Sequence, residues 1–252
     1  MPCETKDIWC KRTDRTVFSI WYLIRYTALN KQIKNPHDVG NPNMSSRMIR
    51  VLERLNSQSI IERERDDEIE IQEKPSGDVM VGDPRMFAIS EDSAVFLNIL
   101  IRSAKFTDIL EVGMSVGYST IWFAEAISHN GGNITTIERT TAKIERAKKN
   151  FAEAGISNIS IIKSEAIDAL RNLDQKFDFI LIDVDKKPIR EYFDLSLKLL
   201  KKGGIIAIDN MAYPARYKDI MRDLASYIRT LPNVRTVTVP IGNGIEICTK
   251  LS

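Results

Sequence analysis

From Asp108 to the end of the chain, apolar and polar positions follow two alternating periods. Short runs dense in Ile, Val, Leu and Phe, at Asp108–Val112, Asn133–Glu138, Ile159–Lys163, Phe177–Ile182 and Gly204–Asp209, have the length and β-branched content of buried strands. Between and after them lie stretches near Tyr118–Ser128, Ala142–Ala154, Ala166–Leu173, Ile189–Leu200 and Tyr217–Thr230 that read as helices. A parallel crossover needs a helix to return the chain, so strand and helix in regular alternation predict a parallel sheet covered on both faces. Two more strands, Val234–Val239 and Ile245–Thr249, are joined by the turn-rich Pro240-Ile-Gly-Asn-Gly244, as expected of an antiparallel pair. The predicted fold class is α/β: a doubly wound, Rossmann-like sheet of seven strands, the last of them antiparallel.

Upstream of the sheet, Ser90 can cap a helix with Glu91 and Asp92 in its first turn and Phe96, Leu97, Leu100 and Ile101 as its apolar stripe. Earlier still, Ser45 or Ser46 can cap a helix that places Met48, Val51, Leu52 and Leu55 on one face. The mixed-charge run from Glu62 to Glu70 reads as a solvated face or a linker. Val17 to Ile24 is apolar on nearly all sides of a helix and must be covered, either by the main domain or by a second copy, which makes a homodimer the expectation. Residues 1–80 thus read as a helical extension, a lid or dimerisation element, and residues 81–252 as the main domain.

Composition narrows the classes. A chain of 252 residues, 43% hydrophobic and 28% charged, is long enough to bury a large core and is not a disordered sequence. Its most apolar stretch, Val17 to Leu29, contains Arg25 and falls short of the ~20 residues a membrane span requires. No secretory signal is apparent, and Cys3, Cys10 and Cys248 match neither a disulfide framework nor a zinc motif, so a cytoplasmic location is expected. The net charge of +2 does not by itself draw the chain to nucleic acid.

In an open α/β sheet the ligand sits beyond the carboxyl ends of the strands, at the point where the strand order reverses. There the sequence has Glu111-Val-Gly-Met-Ser-Val-Gly-Tyr-Ser119, with Gly113 and Gly117 flanking the first strand-to-helix turn. Glycine lets the backbone bend and approach a ligand, and the following helix directs free N–H groups toward it. Ser115 stands where a pyrophosphate-binding turn would have its second glycine. An acidic residue ahead of the first glycine, Glu111, suits a cofactor with a cationic amino-acid end, and Glu138 at the end of the second strand is placed to accept from ribose hydroxyls.

A second acidic group follows. Phe177-Asp-Phe-Ile-Leu-Ile-Asp-Val-Asp-Lys186 delivers Asp183 and Asp185 at the end of one strand, and Ile208-Asp-Asn210 ends the next. Neighbouring strands lie ~4.8 Å apart, so Asp183, Asp209 and Asn210 can converge on one point. Three hard oxygen donors suit Mg²⁺, Ca²⁺ or Mn²⁺ better than zinc, and neither His37 nor His129 falls nearby. The alternative is that these carboxylates merely end strands and cap helices, Asp185 ahead of Pro188 being an example.

On these residues, together with Gly203-Gly-Ile-Ile-Ala-Ile-Asp-Asn210 and the ending Pro240 to Cys248, the chain from about Met86 to Leu251 resembles the cation-dependent O-methyltransferases, the family of catechol and caffeoyl-CoA O-methyltransferases. The resemblance implies S-adenosylmethionine as cofactor, a divalent cation on Asp183, Asp209 and Asn210, and a cofactor pocket lined by Glu111, Gly113, Met114, Gly117, Ser119, Glu138, Ala166, Asp185 and Tyr192. It makes Asp183 and Lys186 the catalytic pair, Lys186 acting as general base if the cation and burial favour its neutral form and otherwise as the charge partner of an oxyanion. It also implies a small hydroxylated aromatic acceptor, catechol-like, with a hydroxylated wobble uridine of tRNA as the alternative. Lys6, Lys11, Arg12, Arg15, Lys31 and Lys34 are candidates for the basic rim that tRNA would need. From another class, a catalytically silent cofactor- or partner-binding protein fits the same turn, although such a protein is expected to lose the acidic set. Two departures stand out: Ile89 replaces a threonine frequent in relatives, and Met211 to Arg216 lacks the usual acceptor-contacting pattern.

Overall fold

The computed structural model describes residues 44–72 and 85–252, with side chains for 44–63 and 85–252. Val17 to Ile24, the six basic residues of the candidate rim, Cys3, Cys10 and His37 lie outside the described residues.

Helix α1, Ser46–Gln72, starts where Ser45 Oγ accepts from the Met48 N–H at 3.2 Å, so Ser45 is the cap. The helix runs through the charged stretch that the sequence suggested was a linker or solvated face. Glu62 and Arg63, at least, are half-buried, because both are bound to the backbone just ahead of the next helix. Helix α2, Glu91–Ser103, is capped by Ser90, whose side chain accepts from the Ser93 N–H.

The sheet follows: β1 Asp108–Val112, α3 Tyr118–Ile127, β2 Asn133–Glu138, α4 Thr141–Ala154, β3 Ile159–Lys163, α5 Ala166–Asn172, β4 Phe177–Ile182, α6 Ile189–Leu199, β5 Leu200–Asp209, α7 Lys218–Thr230, β6 Val234–Val239 and β7 Ile245–Lys250. Its order is β3-β2-β1-β4-β5-β7-β6, with β7 antiparallel to both neighbours and the first five strands parallel. The order reverses between β1 and β4, at the ends that carry the glycine turn and Asp183. β5 begins four residues earlier than the apolar run suggested, because Leu200 pairs with Phe177 before the register shifts ahead of Phe179.

Side chains of a strand alternate between faces, and the two faces have separate covers. Leu110, Val112, Ile180, Ile182, Ile206 and Ile208 pack against Leu170 of α5, Phe193 of α6 and Met221 and Leu224 of α7. On the other face, Phe123 of α3 meets Phe179 edge-on at 5.5 Å between ring centroids. Every residue of α3 is buried, since α1 and α2 pack over it. That position leaves Glu125 without water. Asn98 Nδ2 donates to it at 2.7 Å and the Arg102 guanidinium pairs with it, tying α2 to α3.

Removing the acid would cost Asn98 one of its two bonds, leaving that to Trp122 O at 2.8 Å, and would unpair Arg102, which is a third exposed and can turn to solvent. We therefore expect Glu125→Ala to cost about 3 kcal/mol, the low end for breaking a buried pair, measured as a shift in the urea midpoint at unchanged m-value.

Candidate active site

The turn between β1 and α3 is shaped by what lies against it. Gly113 has φ +99, and a Cβ there would sit 2.0 Å from the Asp183 carbonyl oxygen. Only glycine lets the two strand ends run this close, with the Asp183 N–H donating to Val112 O at 2.9 Å. Gly117, at φ +87, caps α3, and a Cβ on it would meet the Phe151 ring at 2.4 Å. Between them the Met114 N–H donates to Ile137 O at 3.1 Å, and the Ser115 N–H donates to Glu138 Oε2 at 2.9 Å.

Glu111 lies beneath this turn, fully buried. Its carboxylate accepts from Ser119 Oγ at 2.5 Å, Thr120 Oγ1 at 2.6 Å and Thr136 Oγ1 at 2.6 Å. Burial pushes its pKa up to about 7, against the pull of those three hydroxyls and with a further push from Asp183. Sequence reasoning placed Glu111 and Ser119 here but missed Thr120 and Thr136. Thr136 had a signal, because a polar residue inside an apolar strand stands directly across the β1–β2 register from Glu111.

Along the carboxyl ends of β2 and β4 the expected pocket residues gather around an arginine that sequence reasoning did not single out. Arg139 pairs with Glu165 and with Asp185, each at 3.3 Å. Ala166 opens α5 directly after Glu165. Asp185 does not cap α6, which has Pro188 at its N-cap and no side-chain cap bond. Tyr192 is buried, and burial, with the charges of Asp185 and Glu165, pushes its hydroxyl up to about 12 while Arg139 opposes.

The second acidic group lies one step along the sheet. Ile182 and Ile208 are register partners, so Asp183 and Asp209 are the next residues on adjacent strands. Lys186 Nζ is 3.5 Å from Asp183 Oδ1, and the lysine is only 5% exposed. Asp209 is buried, and its Oδ1 has no hydrogen-bond partner. Burial first, then Asp183, raise its pKa well above the ordinary carboxylate range, with Lys186 and, last, Arg63 opposing. Asn210 holds a left-handed backbone, φ +67, as the chain leaves β5. Among the described residues no three of His, Cys, Asp and Glu come together; this donor set is two carboxylates and an amide. His129 is exposed in the link from α3 to β2, at the opposite end of the sheet.

A sheet of this order, with a glycine turn at the reversal point and acids at the ends of β1, β2 and β4, defines the class of S-adenosylmethionine-dependent methyltransferases. The chain belongs to the O-methyltransferase family, whose sequence model matches residues 79–251. A catechol O-methyltransferase of Niastella koreensis is 36% identical over 137 residues, 52% of this chain and 62% of that protein, so the match spans less than two thirds of that relative's length. A caffeoyl-CoA O-methyltransferase of Zinnia elegans is 27% identical over 189 residues, 66% of this chain and 77% of that protein. Among solved structures, the O-methyltransferase TomG of Streptomyces achromogenes, in complex with SAM, superposes with a TM-score of 0.66 at 22% identity, covering 93% of this chain and 98% of that one. An O-methyltransferase from Bacillus cereus, in complex with SAH, gives 0.65 at 23% identity, covering 92% and 99%. At these identities the superpositions speak for the fold.

Glu111 yields a pH prediction. An unfolded glutamate titrates near 4.5 and this one near 7, so the stability it contributes is fully present below about 4.5 and is lost as pH rises to about 7. We expect the cofactor-free protein to lose roughly 3 kcal/mol of unfolding free energy across that window from this group, and Glu111→Gln to flatten the curve there, read by urea denaturation at stepped pH.

Proposed function

We propose that this chain transfers the methyl group of S-adenosylmethionine to a hydroxyl oxygen of a small catechol-like aromatic acceptor, with a divalent cation held by Asp183, Asp209 and Asn210. The observation that carries the cation is the orphaned Asp209 Oδ1. A buried carboxylate oxygen with no donor is costly, and beside a second carboxylate it is costlier still, so the donor set fits a positive ion of the hard, oxygen-liking kind. The acceptor class is supported by the relatives, which are named for catechol and caffeoyl-CoA.

When bound, the cation would supply Lewis acidity that favours loss of the acceptor's hydroxyl proton, and the cofactor a methyl group on a positive sulfur. The chain's own residues do the positioning. The Gly113–Gly117 turn offers its backbone to the amino-acid end of the cofactor, and Glu138 offers its carboxylate to the ribose. Lys186 is the counter-charge of the two aspartates, and the same buried ammonium is available to an acceptor oxyanion beside them. The register of β4 and β5 sets Asp183 and Asp209 side by side at rigid strand ends, where a bound acceptor would be kept in one orientation.

Methyl transfer to catechols is to be assayed with and without Mg²⁺, and with a chelator. Asp209→Ala is expected to lose cation-stimulated turnover by about a hundredfold or more while S-adenosylmethionine binding survives. Undiminished transfer in the presence of the chelator would rule the cation out.

A further inference from the structure

Helix α1 reaches the cofactor turn through two adjacent side chains. Glu62 Oε2 accepts from the Met86 N–H at 2.8 Å, and Arg63 Nη2 donates to the carbonyls of Ala88 at 2.8 Å and Ile89 at 3.1 Å. The segment between has no regular secondary structure, and Phe87 within it takes φ +42, a left-handed conformation unusual for an aromatic residue. Backbone in that state persists only where its surroundings hold it. On the other side the Ser115 hydroxyl donates to the Met86 carbonyl, and the Ser115 N–H donates to Glu138. Met86 is therefore held by α1 through its N–H and by the glycine turn through its C=O.

These bonds are not what docks the helix. Val51, Leu52 and Leu55 already bury its apolar face, Arg54 pairs with Glu153 at 2.6 Å, and Arg47 donates to the carbonyls of Glu153 at 3.0 Å and Ala152 at 3.2 Å. Removing Glu62 or Arg63 would leave α1 in place and Met86 and Ile89 buried, but would take from residues 86–89 their hydrogen bonds to α1. The family's sequence model begins its match at residue 79, after both residues.

We propose that Glu62 and Arg63 are positioning residues for the cofactor: they fix residues 86–89 as a rim against the Gly113–Gly117 turn, and through Met86 they hold Ser115 where it orients Glu138. The inference rests on the cofactor reading of that turn. It makes a helix outside the family match a determinant of cofactor affinity.

The test uses the full chain and equilibrium titration with S-adenosylmethionine. Glu62→Ala and Arg63→Met are each expected to weaken binding about tenfold, the effect of losing one or two hydrogen bonds that order a site. Glu62→Gln keeps an accepting oxygen and should stay within about twofold of the unaltered protein, a rescue that a requirement for charge alone would not give. Gly113→Val is the control for the turn. If it loses binding while the Glu62 and Arg63 variants bind normally, the positioning role is overturned and the cofactor reading stands. If Gly113→Val binds normally, the cofactor reading falls and the inference with it. Should either truncation fail to fold, hydrogen exchange in the unaltered protein decides: cofactor is expected to slow exchange of the Met86 amide about tenfold or more, and no slowing overturns the proposal.

Discussion

A carboxylate shut away from water must be surrounded by donors, and Glu111 imposes that requirement on the centre of the sheet. Its three donors come from three places: Ser119 and Thr120 on the first turn of α3 and Thr136 on the neighbouring strand. Meeting them fixes the rotation of α3 about its axis and the height of its first turn above β1. The glycine turn that joins β1 to α3 is then closed in a single geometry, and its contact with the Asp183 carbonyl settles how far β4 extends before turning away. The glycine turn and the acidic ends of β4 and β5 are connected through this one buried side chain.

The same constraint explains why the two acid groups differ. Both oxygens of Glu111 accept from hydroxyls, whereas Asp209, also buried, has an oxygen with no donor. Both carboxyls are pushed upward by burial, but one environment is complete and the other is short of positive charge. That difference in donors, rather than in burial, is what separates the two carboxylates. Lys186 meets part of the deficit, pairing with Asp183 at 3.5 Å and opposing the upward push on Asp209.

The repeating parts of the fold were legible in the sequence because hydrophobic period alone determines them. The strands Asp108–Val112, Asn133–Glu138, Ile159–Lys163, Phe177–Ile182 and Val234–Val239 end where the apolar runs end, and Ser90 caps α2 as its position suggested. That Asp183 and Asp209 stand side by side was legible too, since the ends of neighbouring parallel strands must lie together. What escaped was set by tertiary contact. Nothing local marks Glu62 and Arg63 as different from the other charges of their run, and a mixed-charge helix reads as solvated until a backbone segment is laid beside it. Arg139 was hidden for the same reason, its partners Glu165 and Asp185 lying on separate elements that meet only in the folded sheet.

That contrast bears on how such a site diversifies. The groups that follow from the sheet, the glycine turn and the acids at the strand ends, can hardly move without changing the register of β1, β4 and β5. Residues 86–89 and the loop from Met211 to Arg216 are under no such restraint. Each is held by a few bonds to elements outside the sheet, the first by α1 and the second by the β6–β7 turn, where Met211 and Ala212 donate to the carbonyls of Gly244 at 3.0 Å and Asn243 at 2.8 Å. Strand ends are fixed by the sheet's register, and these two segments by separable side-chain and backbone bonds. The departures from the family pattern at Ile89 and in Met211 to Arg216 fall on those two segments, and not on the strand ends that carry the acidic residues.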